Sequence, residues 1–430
     1  MAMVAQVVIS NDRQEREARL LHEQISEALT SESAFRALAN GMPQVSLEPL
    51  RNSLRAEKAE LKASLEAYEG AKSGDVETMT KRAGQGIGEK LIAARLARKW
   101  TQKELARRLF LPEQQIQRYE AERYQSINLG ALTRVARTLG VVLEANVSDR
   151  IDERWLPRTE MSPKELQKVV AHARKHGWIG SRSKSDEVSA NQLRRAVAEH
   201  VADYGTPSLL RTGINVHDLA NDWLLLSWKA QVAKKANVLA EQQIGSFKLT
   251  ELGWLKQLVQ SSADPNGPTI ARQILFENGI ALVVEPAPPG TNVDGAAFLQ
   301  GEMPVVGMTL RYDREDNFWF TLLHELGHII LHHRTGLSAG FFDDVEHRDK
   351  DEFEDQADEF AQEALAPTEV WARSPARISK SPEPIEALAR KLSISPSILF
   401  GRARQERKNY KIFAKNVGQG RVRRLFEEFN

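Results

Sequence analysis

Two histidines and a glutamate interrupt the apolar stretch FTLLHELGHIILHH at positions 320–333. His324 and His328 are four residues apart, so in a helix both imidazoles lie on one face and can bind the same zinc ion. Glu325 stands beside them, where its carboxylate can take a proton from a zinc-bound water. Buried polar groups are costly unless they have a partner. The spacing therefore predicts a catalytic zinc site with Glu325 as general base.

A third zinc ligand is expected from the later segment FEDQADEFAQEALAP at positions 353–367. Glu354 and Asp358 are one helical turn apart, so both can face the HELGH helix. We predict that Glu354 binds the metal and that Asp358 orients a ligand histidine by accepting the N–H of its ring. A ligand glutamate on a later helix is the gluzincin arrangement. The alternative ligands are Glu352, Asp355 and His332.

Composition limits the other kinds of site. The chain has 430 residues without a cysteine, which excludes disulfides and leaves His, Asp, Glu and water as metal ligands. Lys and Arg number 59 and Asp and Glu number 58, so any nucleic-acid contact must come from a local basic patch. No signal peptide and no uncharged apolar run long enough for a membrane span is apparent. We expect a cytoplasmic protein.

A local basic patch lies between residues 84 and 147, where eleven Lys and Arg face six Asp and Glu. Thr101 begins a helix, and the stretch 110–112 makes a short turn to a second helix that starts near Pro112. Amide and guanidinium side chains on such a second helix can read base edges in the major groove. The start of the preceding helix is where phosphate contacts are expected. The predicted DNA-contacting residues are Gln102, Lys103, Glu113, Gln114, Gln115, Gln117 and Arg118.

The remaining chain is mainly helical, with short strands at 279–286, 296–300 and 305–310 before the HELGH segment. Residues 1–75 read as a two-helix hairpin that packs on its own domain or mediates dimerisation. Residues 148–195 are expected to be a polar linker, extended around 179–191, and residues 196–265 a helical region. Residues 266–430 complete the chain with a helical tail.

Two segments resemble known families. Residues 84–147 resemble the XRE-type, lambda-repressor-like helix-turn-helix. The strand 305–310, the HELGH helix and the segment around Glu354 resemble the ImmA/IrrE metallopeptidases, although Gln356 and Asp358 depart from that family's usual motif. The resemblance implies a mainly α protein with a small β-sheet. It would comprise an N-terminal helical hairpin, a helix-turn-helix bundle and a C-terminal α+β gluzincin-like domain.

Two functions follow from the resemblance. One is a DNA-binding regulator with a zinc endopeptidase domain that cleaves a repressor protein or itself. The other is an autoregulated repressor or antitoxin-like protein whose peptidase fold acts as a sensor and cuts nothing. The implied partners are an operator in double-stranded DNA, a protein substrate, a toxin and a second copy of the chain in a homodimer. For substrate cleavage we expect 305–310 to be an exposed sheet edge that pairs with an extended peptide.

Overall fold

A computed structural model describes residues 9–78, 87–121, 123–124, 127–143, 163–179, 186, 188–193, 195, 219–242, 244–337 and 347–429. The chain divides into two compact units. One comprises Met3–Phe35 with Leu54–Glu153, and the other comprises Arg36–Ser53 with Arg154–Asn430. None of the described helices is long and apolar enough to cross a membrane.

The N-terminal region consists of α1 (Asp12–Ala28), α2 (Glu32–Leu38) and α3 (Leu47–Ser73). The two long helices were predicted, whereas the short helix α2 between them was not. The start of α1 pairs with the end of α3, because Asp12 accepts a hydrogen bond of 2.8 Å from the Tyr68 hydroxyl. The apolar stripe of α3 is buried within the chain and is not free to form a coiled coil; its members are Leu50, Leu54, Leu61, Leu65 and Tyr68.

The helix-turn-helix unit contains α4 (Ile87–Ala97), α5 (Gln102–Leu109), α6 (Glu113–Ala121) and α7 (Leu129–Thr138). The Thr101 side chain caps α5 by accepting a hydrogen bond of 3.1 Å from the Glu104 amide. Phe110 ends α5 in the left-handed conformation with φ of 56°. The tight turn that this residue makes lets α6 start at Glu113, as the sequence predicted.

The second unit is built around one small sheet. The helices that precede its strands are α8 (Pro163–Lys175), α9 (Leu219–Glu241), α10 (Trp254–Gln260) and α11 (Gly267–Glu277). The strands are β1 (Ala281–Val284), β2 (Gly295–Gln300) and β3 (Met303–Met308). Trp228 of α9 packs on β3, since a Cβ placed on Gly307 would lie 2.9 Å from its ring. The HELGH motif lies on α12 (Glu315–Leu331), and Glu354 lies on α13 (His347–Leu365). The tail contains α14 (Thr368–Ala372), α15 (Glu383–Leu392) and α16 (Pro396–Glu406).

The strand order is β1-β3-β2, so β3 is the central strand. Ala281 pairs in parallel with Val305 on one side, and Gly295 pairs antiparallel with Met308 on the other. The expectation that 305–310 forms an exposed edge is therefore wrong, because both sides of β3 already have hydrogen-bonded neighbours. Among the described strands, the edges are β1 and β2.

The expected extended linker is also wrong where the structure describes it. Residues 188–193 are helical, and α8 occupies 163–175. Ala190 and Leu193 are buried in the same apolar cluster as Trp228 and the sheet residue Val283. Ser-rich composition misled the prediction, because this segment contributes few but fully buried apolar side chains. Residues 180–185 lie outside the described residues.

Candidate functional site

The three residues predicted as zinc ligands converge in the structure. His324, His328 and Glu354 each offer one ligand atom, and these atoms lie within 4.8 Å of one another. The two Nε2 atoms are 3.0 Å apart. Glu354 Oε2 lies 3.3 Å from Nε2 of His324, and Glu354 Oε1 lies 3.6 Å from Nε2 of His328. Ligands at about 2.1 Å from a tetrahedral zinc stand about 3.4 Å from one another, so this triangle fits the ion.

Close helix packing makes this triangle possible. Gly327, inside the HELGH motif, faces Ala357 of α13, and a Cβ on Gly327 would lie 3.1 Å from the Ala357 Cα. Both histidines are almost fully buried, at 1% and 0% exposure, whereas the Glu354 side chain is half-buried. The alternative ligands are not part of the group of three: Glu352 and Asp355 are exposed, and His332 contacts the outer nitrogen of His328.

Asp358 lies where the sequence predicted, with Oδ1 at 2.7 Å from Nδ1 of His324. A carboxylate can only accept, so Nδ1 of His324 carries the proton and donates it. Burial lowers the pKa of His324, but its hydrogen bonds to Asp358 and Glu354 outweigh burial and raise the pKa to about 10. This anionic surrounding holds the metal-free site together and favours a divalent cation.

His328 and Glu354 differ in which effect determines the pKa: burial prevails for His328, and hydrogen bonding prevails for Glu354. Burial is the largest cause that lowers the pKa of His328, which keeps this ring neutral. Burial raises the pKa of Glu354, yet hydrogen bonds to His324 and His328 prevail and lower it to about 2. One neutral imidazole and one carboxylate are thus available for a metal at neutral pH, and the second imidazole must lose a proton.

Glu325 is fully buried and lies against β2. A Cβ placed on Gly295 would be 2.9 Å from Glu325 Oε1 and 2.8 Å from Cγ2 of Thr321. Only a glycine at this position leaves room for the glutamate side chain between strand and helix. No sequence pattern distinguishes Gly295 from other glycines, because its role depends on the register of β2 against α12.

The predicted DNA-contacting residues lie on α5 and α6. Glu113, Gln114, Gln117 and Arg118 are exposed on α6, and Lys103 is exposed at the start of α5. Gln115 is half-buried. Arg118 has its guanidinium carbon 5.9 Å from the centre of the Tyr119 ring.

Gln102 has a role inside the bundle. Its amide donates a hydrogen bond of 2.8 Å to Oε2 of Glu120. Glu120 is buried and accepts two hydrogen bonds from the equally buried Arg95, at 2.5 and 2.7 Å. Breaking a buried ion pair by removing one partner is strongly destabilising. The sequence showed Gln102 only as a surface residue at a helix start, because Arg95 and Glu120 are 25 residues apart.

Two regions of the chain match models of known protein families. Residues 281–402 match the family of the IrrE N-terminal-like domain, a peptidase family. Residues 91–144 match the helix-turn-helix family. The chain carries both domains. It joins an XRE-type helix-turn-helix to an ImmA/IrrE-like domain of the metallopeptidase type, which confirms the predicted combination. No curated protein and no solved structure matches the chain.

Proposed function

We propose that this protein is a DNA-binding transcriptional regulator with a zinc-dependent endopeptidase domain, which controls repression by cleaving a repressor protein or itself. The observation that carries the proposal is the triangle of His324, His328 and Glu354 with Glu325 beside it. Three protein ligands and a neighbouring carboxylate are the composition of a catalytic zinc site, in which the fourth position is open to water. A structural zinc would have four protein ligands.

The proposed zinc ligands are Nε2 of each histidine and the carboxylate of Glu354. A bound zinc would lower the pKa of a water ligand and polarise the carbonyl of the scissile peptide bond. Glu325 would accept the proton of that water and deliver it to the leaving amine. Asp358 would hold the ring of His324 in position through the hydrogen bond of 2.7 Å.

The proposed site for an extended substrate is the outer edge of β2. This strand pairs only with β3 among the described strands, and its first residue, Gly295, lies against the proposed general base. A peptide that adds to this edge would use main-chain hydrogen bonds, which do not depend on its sequence. The position beside Glu325 would bring one of its peptide bonds to the metal.

Cleavage of a separate protein is favoured over self-cleavage at residues 188–193. Ala190 and Leu193 are 1% exposed, so a protease could reach the backbone here only after local unfolding. Self-cleavage between 180 and 185 falls outside the described residues and stays a prediction. Both routes use the same chemistry and differ only in the substrate.

The proposed nucleic-acid partner is an operator in double-stranded DNA, bound by the exposed face of α6 and by Lys103. A homodimer and a toxin partner stay predictions from the family resemblance. A DNA operator as partner places the proposed action in the cytoplasm. The predicted domain boundaries, 1–75, 84–147, 148–195, 196–265 and 266–430, are likewise proposals, although 148–195 is mainly helical and not an extended linker where the structure describes it.

The experiment compares the wild type with Glu325→Gln and with Glu359→Gln, a control at an exposed glutamate on α13. Each protein is loaded with zinc, mixed with XRE-type repressors encoded near its gene, and followed by intact-mass spectrometry. The wild type and the control should produce fragments, whereas Glu325→Gln should bind zinc and produce none. A wild type that binds zinc and DNA and leaves every substrate and itself intact would support the sensor function instead.

A further inference from the structure

A line of hydrogen bonds leads away from the proposed metal centre. Nδ1 of His328 lies 3.1 Å from Nδ1 of His332, and Nε2 of His332 lies 3.0 Å from Oε1 of Gln356. The Gln356 amide then donates to Oε1 of Glu352 at 3.0 Å. We call these four side chains the relay. It connects the ring of His328, one proposed zinc ligand, to the protein surface, where Glu352 is exposed.

The exposed end of the relay fixes the direction of every bond in it. A carboxylate only accepts, so the NH2 group of Gln356 faces Glu352 and its carbonyl oxygen faces His332. A carbonyl oxygen also only accepts, so Nε2 of His332 carries a proton. In a neutral ring the other nitrogen then has a lone pair, and Nδ1 of His332 must accept from Nδ1–H of His328.

The direction of the relay determines whether Nε2 of His328, the nitrogen in the proposed metal site, has a proton. A neutral His328 with its proton on Nδ1 has a lone pair on Nε2, the atom 3.0 Å from Nε2 of His324. Metal binding requires this lone pair. If the relay ran in the opposite direction, Nε2 of His328 would carry the proton and close the site against a metal.

We infer that Gln356 and His332 are positioning residues that set the tautomer of His328 for metal binding. The usual partner for a ligand histidine is a carboxylate, a main-chain carbonyl or water. Here the partner is a second histidine, His332. Its ring nitrogen can either donate or accept, so His332 alone does not determine which ring donates the hydrogen bond between the two histidines. Gln356 determines that direction, because its carbonyl oxygen can only accept from His332. Glu352, one helical turn away, keeps the Gln356 amide in this orientation.

Because His332 is buried, its Nε2 depends on Gln356 as its hydrogen-bond partner. His332 is 1% exposed, and the Phe353 ring lies against it with a centroid distance of 4.4 Å, so water cannot readily substitute for Gln356. Reversal of the relay in the wild type would set the lone pair of His332 against the carbonyl oxygen of Gln356. Removal of that oxygen abolishes the difference between the two directions.

The first part of the test is Gln356→Met, which keeps the length of the side chain and removes both polar groups. The matched control is Gln362→Met on the same helix. Zinc affinity is measured on the full chain by competition with a chromophoric chelator. Loss of a residue that orients a metal ligand typically weakens metal binding about 10–100-fold, and we expect a change of that size for Gln356→Met and none for Gln362→Met.

The second part reads the protons directly. Nitrogen-15 NMR of the histidine rings in the metal-free wild type should show the proton on Nδ1 of His328 and on Nε2 of His332. In Gln356→Met, part of the His328 signal should move to the form protonated on Nε2. A merely structural role for Gln356 would not move this signal.

The inference rests on the proposed zinc site, and the two can fail separately. A wild type that binds no zinc would refute the proposed function. Equal zinc affinity in Gln356→Met and Gln362→Met, or a wild-type His328 with its proton on Nε2, would refute the inference while the zinc site stands. The wild-type spectrum decides the matter even if Gln356→Met does not fold.

Discussion

Gly327 of α12 and Ala357 of α13 lie against each other, with the Ala357 Cα only 3.1 Å from where a Cβ on Gly327 would be. Small residues at a helix crossing allow the two backbones to approach closely. Ala357 is fully buried and stands three residues after Glu354. This contact sets the distance over which the carboxylate of Glu354 reaches the two imidazoles.

A larger residue at Ala357 should therefore disturb the metal site through the backbone. Ala357→Leu should force α12 and α13 apart, at a cost of about 1–3 kcal/mol in the free energy of unfolding. Glu354 would move away from His324 and His328, so zinc affinity should fall as well. Thermal unfolding and chelator competition measure the two effects. Ala372→Leu, at an exposed position, is the control, and equal behaviour of both variants would contradict the packing argument.

Gly295→Ala separates the proposed general base from the proposed metal ligands. The new methyl group would meet Glu325 Oε1 at 2.9 Å and Thr321 Cγ2 at 2.8 Å, so the carboxylate must shift. A displacement near 1 Å can cost about 100-fold in rate. We expect peptide hydrolysis to fall by that order while zinc affinity stays unchanged. Gly253→Ala, which meets no atom within 4 Å, should change neither quantity. Loss of zinc in Gly295→Ala would show that β2 supports the ligands rather than Glu325.

The HELGH helix, the Glu354 helix and the three strands could be predicted because their signals are local. Periodicity and ligand spacing depend on residues within two or three turns of one another. Strand order is a long-range property, and the prediction failed there: 305–310 looked like an edge, whereas β3 has neighbours on both sides. Gly295 and Gln356 were missed as site residues for the same reason. Their roles depend on which side chain lies opposite them in another element.

Zinc binding should depend on pH because His324 must lose a proton. Its hydrogen bonds to Asp358 and Glu354, acting against burial, raise its pKa to about 10 in the metal-free protein. The protonated His324 ring stabilises the metal-free fold. This contribution to the free energy of unfolding is complete below the pKa of about 6.5 that the ring has in the unfolded chain, and it is lost as pH rises through about 10. Between these limits zinc displaces a proton, so zinc affinity should rise about tenfold per pH unit. Chelator competition from pH 6.5 to 8.5 measures this slope.

A variant of the hydrogen-bond partner tests the cause of that slope. Asp358→Asn removes a negative charge from Nδ1 of His324, so the pKa of this ring should fall and the slope with pH should decrease. Glu359→Gln removes the neighbouring exposed charge and should leave the slope unchanged. A slope that is the same in all three proteins would mean that Asp358 does not control the protonation of His324.

Arg118→Ala tests the proposed DNA-binding face. Arg118 is exposed on α6, so its removal should not change thermal stability. If the guanidinium reads a base, specific affinity should fall by about 1–3 kcal/mol and discrimination at one operator position should relax. Fluorescence anisotropy at several salt concentrations distinguishes the two kinds of contact. If Arg118 contacts a phosphate instead, its removal should make the affinity depend less on salt concentration. Arg134→Ala on α7 is an exposed control outside α6, and an equal loss for both would contradict the assignment.

Phe110→Gly tests the turn between α5 and α6. Phe110 has φ of 56° and its side chain is 94% exposed, so the ring has no packing that compensates for the left-handed backbone. A residue with a Cβ pays roughly 1–2 kcal/mol in this conformation, whereas glycine adopts it readily. Phe110→Gly should raise the free energy of unfolding by up to about 1 kcal/mol, once the greater freedom of glycine in the unfolded chain is subtracted. Phe110→Ala retains the Cβ and should not stabilise. Denaturant unfolding of the three proteins measures the difference. A glycine variant that is less stable than the wild type would show that the exposed ring packs against something in solution.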